Sequence, residues 1–208
     1  NSLRLCKKTF KDISVVVNGA GAAGTAIVHL MRSFGVENIV LCDSKGIIYT
    51  GRPEGMSPSK ESISKITNKE GKKGKLEDAI KNTDVFIGVS APNILTKDMI
   101  RSMNKDPIIF ALANPVPEIM PEDALEAGAK VVCTGRSDFP NQVNNVLVFP
   151  GIFRGALDAR TPNIHENMKM EAARALAALV PENECHPGYV IPGIFDPRIA
   201  TTVAERSE

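Results

Sequence analysis

Short, nearly unbroken apolar runs alternate along this chain with stretches whose apolar positions recur every three or four residues. The runs are Val15-Val16-Val17, Ile39-Val40-Leu41-Cys42, Val85-Phe86-Ile87, Ile108-Ile109-Phe110-Ala111-Leu112 and Val131-Val132-Cys133. They predict strands over 13–17, 38–43, 84–89, 108–112 and 131–134. Helical spacing appears at Ala26, Ile27, Leu30, Met31 and Phe34, with Gly35 as the stop. It returns over 59–68, 76–82, 96–103 with Thr96 as cap, and from Pro121 at a first-turn position to Gly128. Strands that are apolar throughout need cover on both faces, so the predicted class is α/β, a doubly wound parallel sheet. The turn-rich 44–55 segment holds Ile47-Ile48-Tyr49, readable as an extra strand or an extended loop.

The last third differs. A short helix is expected over 150–157, and an alanine-rich helix over 168–179 is expected to pack across the sheet. Prolines and glycines break 181–197 into a loop, and a terminal helical stretch follows. At the other end, Asn1-Ser2-Leu3-Arg4-Leu5 reads as the end of a helix already under way, which makes a fragment the expectation.

The first apolar run breaks directly into Gly19-Ala20-Gly21-Ala22-Ala23-Gly24, a G-x-G-x-x-G pattern between a strand and a helix. In that setting the three glycines differ in what they allow. Gly19 permits a tight turn, Gly21 lets backbone approach a pyrophosphate, and Gly24 lets the helix pack closely on its strand. The helix N-terminus then offers free N–H groups to the phosphates. Asp43 closes the next strand 19 residues beyond Gly24, close to the spacing of about 20 at which a carboxylate meets the ribose hydroxyls. A carboxylate there argues for NAD over NADP, because it would repel a 2′-phosphate. Ligands of such Rossmann-type sheets sit beyond the C-terminal strand ends, which directs attention to 19–24, 43–45, 90–93, 114–116 and 135–145.

With 208 residues, 43% of them hydrophobic, the chain can bury a core without disulfide staples. Its 25 basic and 24 acidic residues leave a net charge of +1, which disfavours nucleic acid and membrane surfaces as partners. The four cysteines, Cys6, Cys42, Cys133 and Cys185, show no C-x-x-C spacing, and a reducing compartment is the simpler reading. No run approaches the length of about 20 apolar residues that spans a bilayer, and no signal-peptide pattern opens the chain. A soluble, cytoplasmic protein is expected.

Taken with the glycine motif, Asp43-Ser44-Lys45-Gly46, Ala113-Asn114-Pro115 and Thr134-Gly135-Arg136-Ser137-Asp138-Phe139-Pro140-Asn141-Gln142-Val143-Asn144-Asn145 resemble the NAD-binding domain of malic enzymes of the prokaryotic type. The segments Phe149-Pro150-Gly151-Ile152-Phe153-Arg154-Gly155-Ala156-Leu157-Asp158 and Ile194-Phe195-Asp196-Pro197-Arg198 extend the resemblance nearly end to end. It implies that residues 1–208 are the dinucleotide-binding domain of a larger two-domain enzyme whose catalytic N-terminal domain is absent here. The implied parent reaction is oxidative decarboxylation of L-malate to pyruvate and CO2, with NAD (or NADP) as cofactor and Mg2+ or Mn2+ in the complete enzyme. A homodimer or higher homo-oligomer is likewise implied.

By the same resemblance, Gly19, Gly21, Ala22, Ala23, Gly24, Asp43, Ser90, Ala91, Asn114 and Asn144 meet the cofactor, and Asn114 and Asn145 meet substrate. No catalytic or metal-binding residue is assigned within the chain, which by itself is expected to be inactive. Neutral amides suit such a site because they donate and accept without adding charge. Each residue also has a plainer explanation. Asn114 before Pro115, the pair Asn144 and Asn145, and Asp43 all fit turns, and Arg136 with Asp138 fits a loop ion pair outside the site. Glu77-Asp78 and Glu122-Asp123 sit at expected helix starts rather than in metal-ligand spacing. His29, His165 and His186 match no zinc pattern. Two other functions fit the residues alone: a non-catalytic nucleotide-sensing module, and a domain of another NAD-dependent dehydrogenase.

Overall fold

The computed structural model describes residues 1–207. After a single turn of helix, α1 (Ser2–Leu5), come β1 (Ser14–Asn18), α2 (Ala22–Ser33) and β2 (Asn38–Asp43), the expected βαβ unit. Then follow β3 (Gly46–Ile47), α3 (Pro58–Ser64), α4 (Leu76–Ile80), β4 (Val85–Gly88), α5 (Lys97–Arg101), β5 (Ile108–Ala111), α6 (Pro121–Glu126) and β6 (Val131–Thr134). A 3-10 turn (Asn145–Leu147) leads into α7 (Phe149–Asp158), α8 (Glu166–Ala178) and α9 (Ile199–Arg206).

The six strands lie in the order β3-β2-β1-β4-β5-β6. Five are parallel, as the apolar runs require, with Val15 opposite both Ile39 and Val85, and Ile108 opposite Val131. The exception is β3, where the undecided 47–49 stretch resolves as an antiparallel edge that pairs Cys42 with Ile47 and Asp43 with Gly46. Two residues, Ser44 and Lys45, join it to β2, and so short a link reverses the chain instead of crossing over the sheet.

Alternate side chains feed two apolar layers. Val16, Val40, Phe86, Ile109 and Val132 face α4, α5 and α6 on one side, while Val15, Val17, Ile39, Leu41, Ile87 and Ile108 face α1, α2 and α3 on the other. Local signals set the helix ends. The Thr96 hydroxyl accepts from the Met99 N–H at 3.2 Å, Ser57 does the same for Lys60 at 3.3 Å, and Gly35 adopts φ +89° just past α2.

The expected placement of the alanine-rich helix needs correction. α8 does not lie across the sheet; it packs chiefly on α9, with further contacts to α2 and α7. Ala172, Ala175, Leu176 and Leu179 enter a third apolar cluster with Leu147, Ile152, Ile199 and Val203. Its small residues offer too little apolar surface to cover strands but fit closely spaced helices. Gly151 and Gly155 of α7 serve the same end: a Cβ at Gly151 would strike Val203, and one at Gly155 would strike the Ala204 carbonyl.

Candidate functional site

Beyond the C-terminal ends of β1, β2 and β4 lies an open cleft of about 560 Å³. Asn18, Gly19, Ala20, Asp43, Ser44, Ser90 and Ala91 line it, together with Lys75 and Glu77. The strand order places these segments together, because β1 stands between β2 and β4.

The three glycines of the motif behave differently. Gly19 has φ +120°, and a Cβ on it would meet the Val89 carbonyl oxygen at 2.5 Å. A Cβ on Gly24 would overlap the Gly19 carbonyl, so protein packing alone demands both glycines. Gly21 has nothing within 4 Å of the place a Cβ would occupy. No neighbour of its own chain requires a glycine there; a molecule lying against the backbone would. Gly21 is the N-cap of α2 and supplies no side chain to the free N–H groups, and Ala22 and Ala23 on the first turn are exposed. A 12-residue helix with an uncapped, solvent-open N-terminus presents donors and partial positive charge to an anion. These residues fit a dinucleotide pyrophosphate.

Asp43 reaches the cleft wall already engaged. Its Oδ1 accepts from the Lys45 N–H and Arg52 Nη1, both at 2.9 Å. Its Oδ2 accepts from Arg52 Nη2 and Lys60 Nζ, both at 2.6 Å. Burial pushes the carboxyl upward, but the hydrogen bonds from Arg52, Lys60 and the Lys45 backbone outweigh it and hold Asp43 well below the ordinary carboxylate range. The bidentate Arg52, only 8% exposed, lies behind Asp43 and outside the cleft lining. One carboxylate with two cations leaves this corner with net positive charge, which weakens the repulsion of a 2′-phosphate expected from a lone Asp43. Sequence reasoning missed both cations: Arg52 sits in the turn-rich segment, Lys60 on α3, and no spacing links either to Asp43.

Across the cleft, Asn18 Nδ2 donates to Ser90 Oγ at 2.7 Å, tying the start of the glycine turn to the loop after β4. The Glu118 carboxylate, fully buried, accepts from the Ser90 N–H at 3.0 Å and the Ala113 N–H at 2.9 Å. Sequence reading passed over Glu118 as well; the one available clue was Gly88 inside a strand, where a Cβ would overlap that carboxylate.

Of the expected residues, Gly19, Asp43, Ser90 and Ala91 line the cleft, while Gly21, Ala22, Ala23 and Gly24 and the three asparagines lie outside its lining. Asn114 follows β5, is exposed, and is joined to Pro115 by a cis peptide bond. Asn144 caps the 3-10 turn, its Oδ1 accepting from the Val146 N–H at 3.0 Å, and Asn145 beside it is exposed. Arg136 and Asp138 form a two-point ion pair at 2.9 and 2.6 Å on the β6 loop. Glu77 and Asp78 occupy the first turn of α4, Glu122 and Asp123 that of α6. Among the described residues, no three His, Cys, Asp or Glu side chains converge as a cation site. All four cysteines are free; burial pushes the Cys42 and Cys133 thiols up to about 12. No helix among the described residues is long and apolar enough to cross a membrane.

Residues 1–206 match the family model described as malic enzyme, NAD binding domain. The chain is 61% identical over 205 residues to the bifunctional malic/malolactic enzyme of Bacillus subtilis, covering 99% of itself and 50% of that relative. It is 44% identical to the NADP-dependent malic enzyme of Escherichia coli, covering 98% of itself and 29% of that protein. The crystal structure of the NAD-dependent malic enzyme of Thermotoga maritima superposes with a TM-score of 0.94 at 46% identity, over 99% of this chain and 54% of that one. The chain thus spans half or less of the length of these curated relatives.

Proposed function

Since the chain belongs to the malic enzyme NAD-binding domain family, we propose that it forms the dinucleotide-holding half of a two-domain malic enzyme that converts L-malate to pyruvate and CO2. The observation that carries this reading is the N-terminus of α2, uncapped by any side chain at Gly21 and open to solvent at Ala22 and Ala23, beside a glycine turn at the C-terminal end of β1. In this reading the pyrophosphate lies on the N–H groups of Gly21, Ala22, Ala23 and Gly24, with Gly19 and Gly24 shaping the turn. Asp43 faces the adenosine ribose, and Ser90 and Ala91 border the middle of the cofactor.

Asn114 and Asn144 are assigned to the nicotinamide end, and Asn114 and Asn145 to the substrate. The exposure of Asn114 and Asn145, with no side-chain hydrogen bond holding either among the described residues, supports their availability. When bound, the dinucleotide supplies the hydride acceptor of the parent reaction. The metal ligands and proton-transferring groups are assigned to the part of the relatives that this chain does not span. Mg2+ or Mn2+ is the metal proposed there. Assembly as a homodimer or larger homo-oligomer, and a cytoplasmic location consistent with four free cysteines, belong to the same proposal.

Titration of the 208-residue chain with NADH tests it. Nicotinamide fluorescence should rise saturably, and a separate mixture of the chain with malate and NAD+ should form no NADH; a folded protein that leaves the fluorescence unchanged overturns the cofactor assignment. NADPH makes the second arm. The net charge around Asp43 predicts that it binds too, whereas exclusion of NADPH would mean that the carboxylate acts unscreened.

A further inference from the structure

We propose that Glu118 is a positioning residue for the cofactor, its buried carboxylate locking the loops after β4 and β5 into one register. The inference rests on the reading that the cleft holds a dinucleotide. Glu118 is 0% exposed and makes no ion pair among the described residues, an uncommon condition for a carboxylate. Each oxygen has its own partner. Oε1 accepts from the Ser90 N–H at 3.0 Å, with the Ser90 hydroxyl at 3.5 Å, and Oε2 accepts from the Ala113 N–H at 2.9 Å.

The position of those two amides gives the contacts their meaning. At this end of the sheet the last bonds joining β4 to its two neighbours run from the Val89 N–H to the Asn18 carbonyl at 2.9 Å and from the Leu112 N–H to the Gly88 carbonyl at 3.0 Å. Ser90 and Ala113 carry the next amides, where the ladder has ended and the loops diverge. The carboxylate acts as one more rung, accepting from both where no strand carbonyl remains. An apolar side chain of the same volume would leave both donors unpaired.

The backbone around Glu118 adds to the clamp. Its own carbonyl accepts from the Leu95 N–H at 3.0 Å, and that of Pro117 accepts from the Asn93 N–H at 3.1 Å. Through Ser90 Oγ, which accepts from Asn18, the chain of contacts reaches the glycine turn. Ala91 and Asn114 directly follow the two clamped residues, so Glu118 sets the distance between groups assigned to the middle and to the nicotinamide end of one ligand. Preorganising both spares the ligand the ordering of two loops on binding.

The test is Glu118→Gln in the full-length protein, which keeps the shape but turns an NH2 toward one of the two N–H donors. NADH affinity is read by fluorescence titration and amide exchange by NMR. The expected result is a dissociation constant about tenfold higher, with faster exchange at Ser90 and Ala113 and unchanged protection at Val16 and Ile109. A folded variant with wild-type affinity and wild-type exchange at Ser90 and Ala113 overturns the proposal. Should the variant fail to fold, the wild-type protein decides: the two amides should exchange at a common rate and slow together when NADH is added, and independent rates overturn the inference. Failure of the wild-type protein to bind NADH would instead sink the dinucleotide reading, leaving the common exchange rate to judge the clamp alone.

Discussion

At Asp43 a single carboxylate meets four donors, and its ionisation is coupled to folding. The folded protein holds its carboxyl below the unfolded value, so the ion pairs stabilise the fold above the unfolded pKa of about 3.9 and cease to as the pH falls toward the folded one. Asp43→Asn leaves Arg52, 8% exposed, without its counter-ion. The expected cost at pH 7 is about 3 kcal/mol, measured by urea unfolding, and the gap between variant and wild type should shrink at pH 3. An undiminished gap at pH 3 would assign the loss to packing rather than charge. Spacing from Gly24 made Asp43 legible in the sequence, but its partners were not, because side chains distant along the chain leave no periodic trace.

On the scale of one element, α2 carries conflicting demands that its sequence exposes. A helix is stabilised by Asp at its N-cap and by acidic residues in its first turn, yet α2 begins Gly21-Ala22-Ala23 with neither. The Gly21→Asp variant is therefore expected to keep or slightly raise the melting temperature. Its carboxylate would occupy the free N–H groups and repel the pyrophosphate, so NADH affinity should fall by at least about tenfold, or roughly 1.4 kcal/mol. Calorimetry with the fluorescence titration checks both halves, and equal affinity would move the phosphates elsewhere. Element positions were largely readable. β2 and β6 occupy the expected 38–43 and 131–134, since buried apolar runs leave few alternatives. β3 was undecided because two residues carry no period, and its pairing depends on the neighbouring strand.

For the molecule as a whole, the sheet with its two helical layers and the α7–α8–α9 unit form three apolar clusters. The third is held by close backbone approach: a Cβ on Gly155 would press on the Ala204 carbonyl and, at 3.0 Å, on Ser207 Cβ. Gly155→Val should cost about 1–3 kcal/mol through overpacking. The damage should be confined, with proteolysis in the 181–197 loop accelerating before any loss of protection in β1 or β5. Uniform loss of protection would show that the clusters unfold as one. Side-chain links oppose such detachment, among them Asn1 Nδ2, which donates to the Ala177 and Val190 carbonyls at 2.9 Å, and Asn141, which holds the Pro187 carbonyl at 2.8 Å and the Val190 N–H at 2.9 Å.

The sequence by itself determined the α/β class, the parallel core of the sheet, the glycine turn and the acidic end of β2. Those features follow from periodicity and from backbone constraints that act over a few residues. Tertiary structure decided the rest. It gave Asp43 its two cations, turned Ser44–Gly46 into a reversal at the sheet edge, moved α8 off the sheet, and buried Glu118 beneath two loops. Each of these depends on which distant groups share a small volume, and the energy of an ion pair, a close helix contact or a buried carboxylate exists only once that volume has closed.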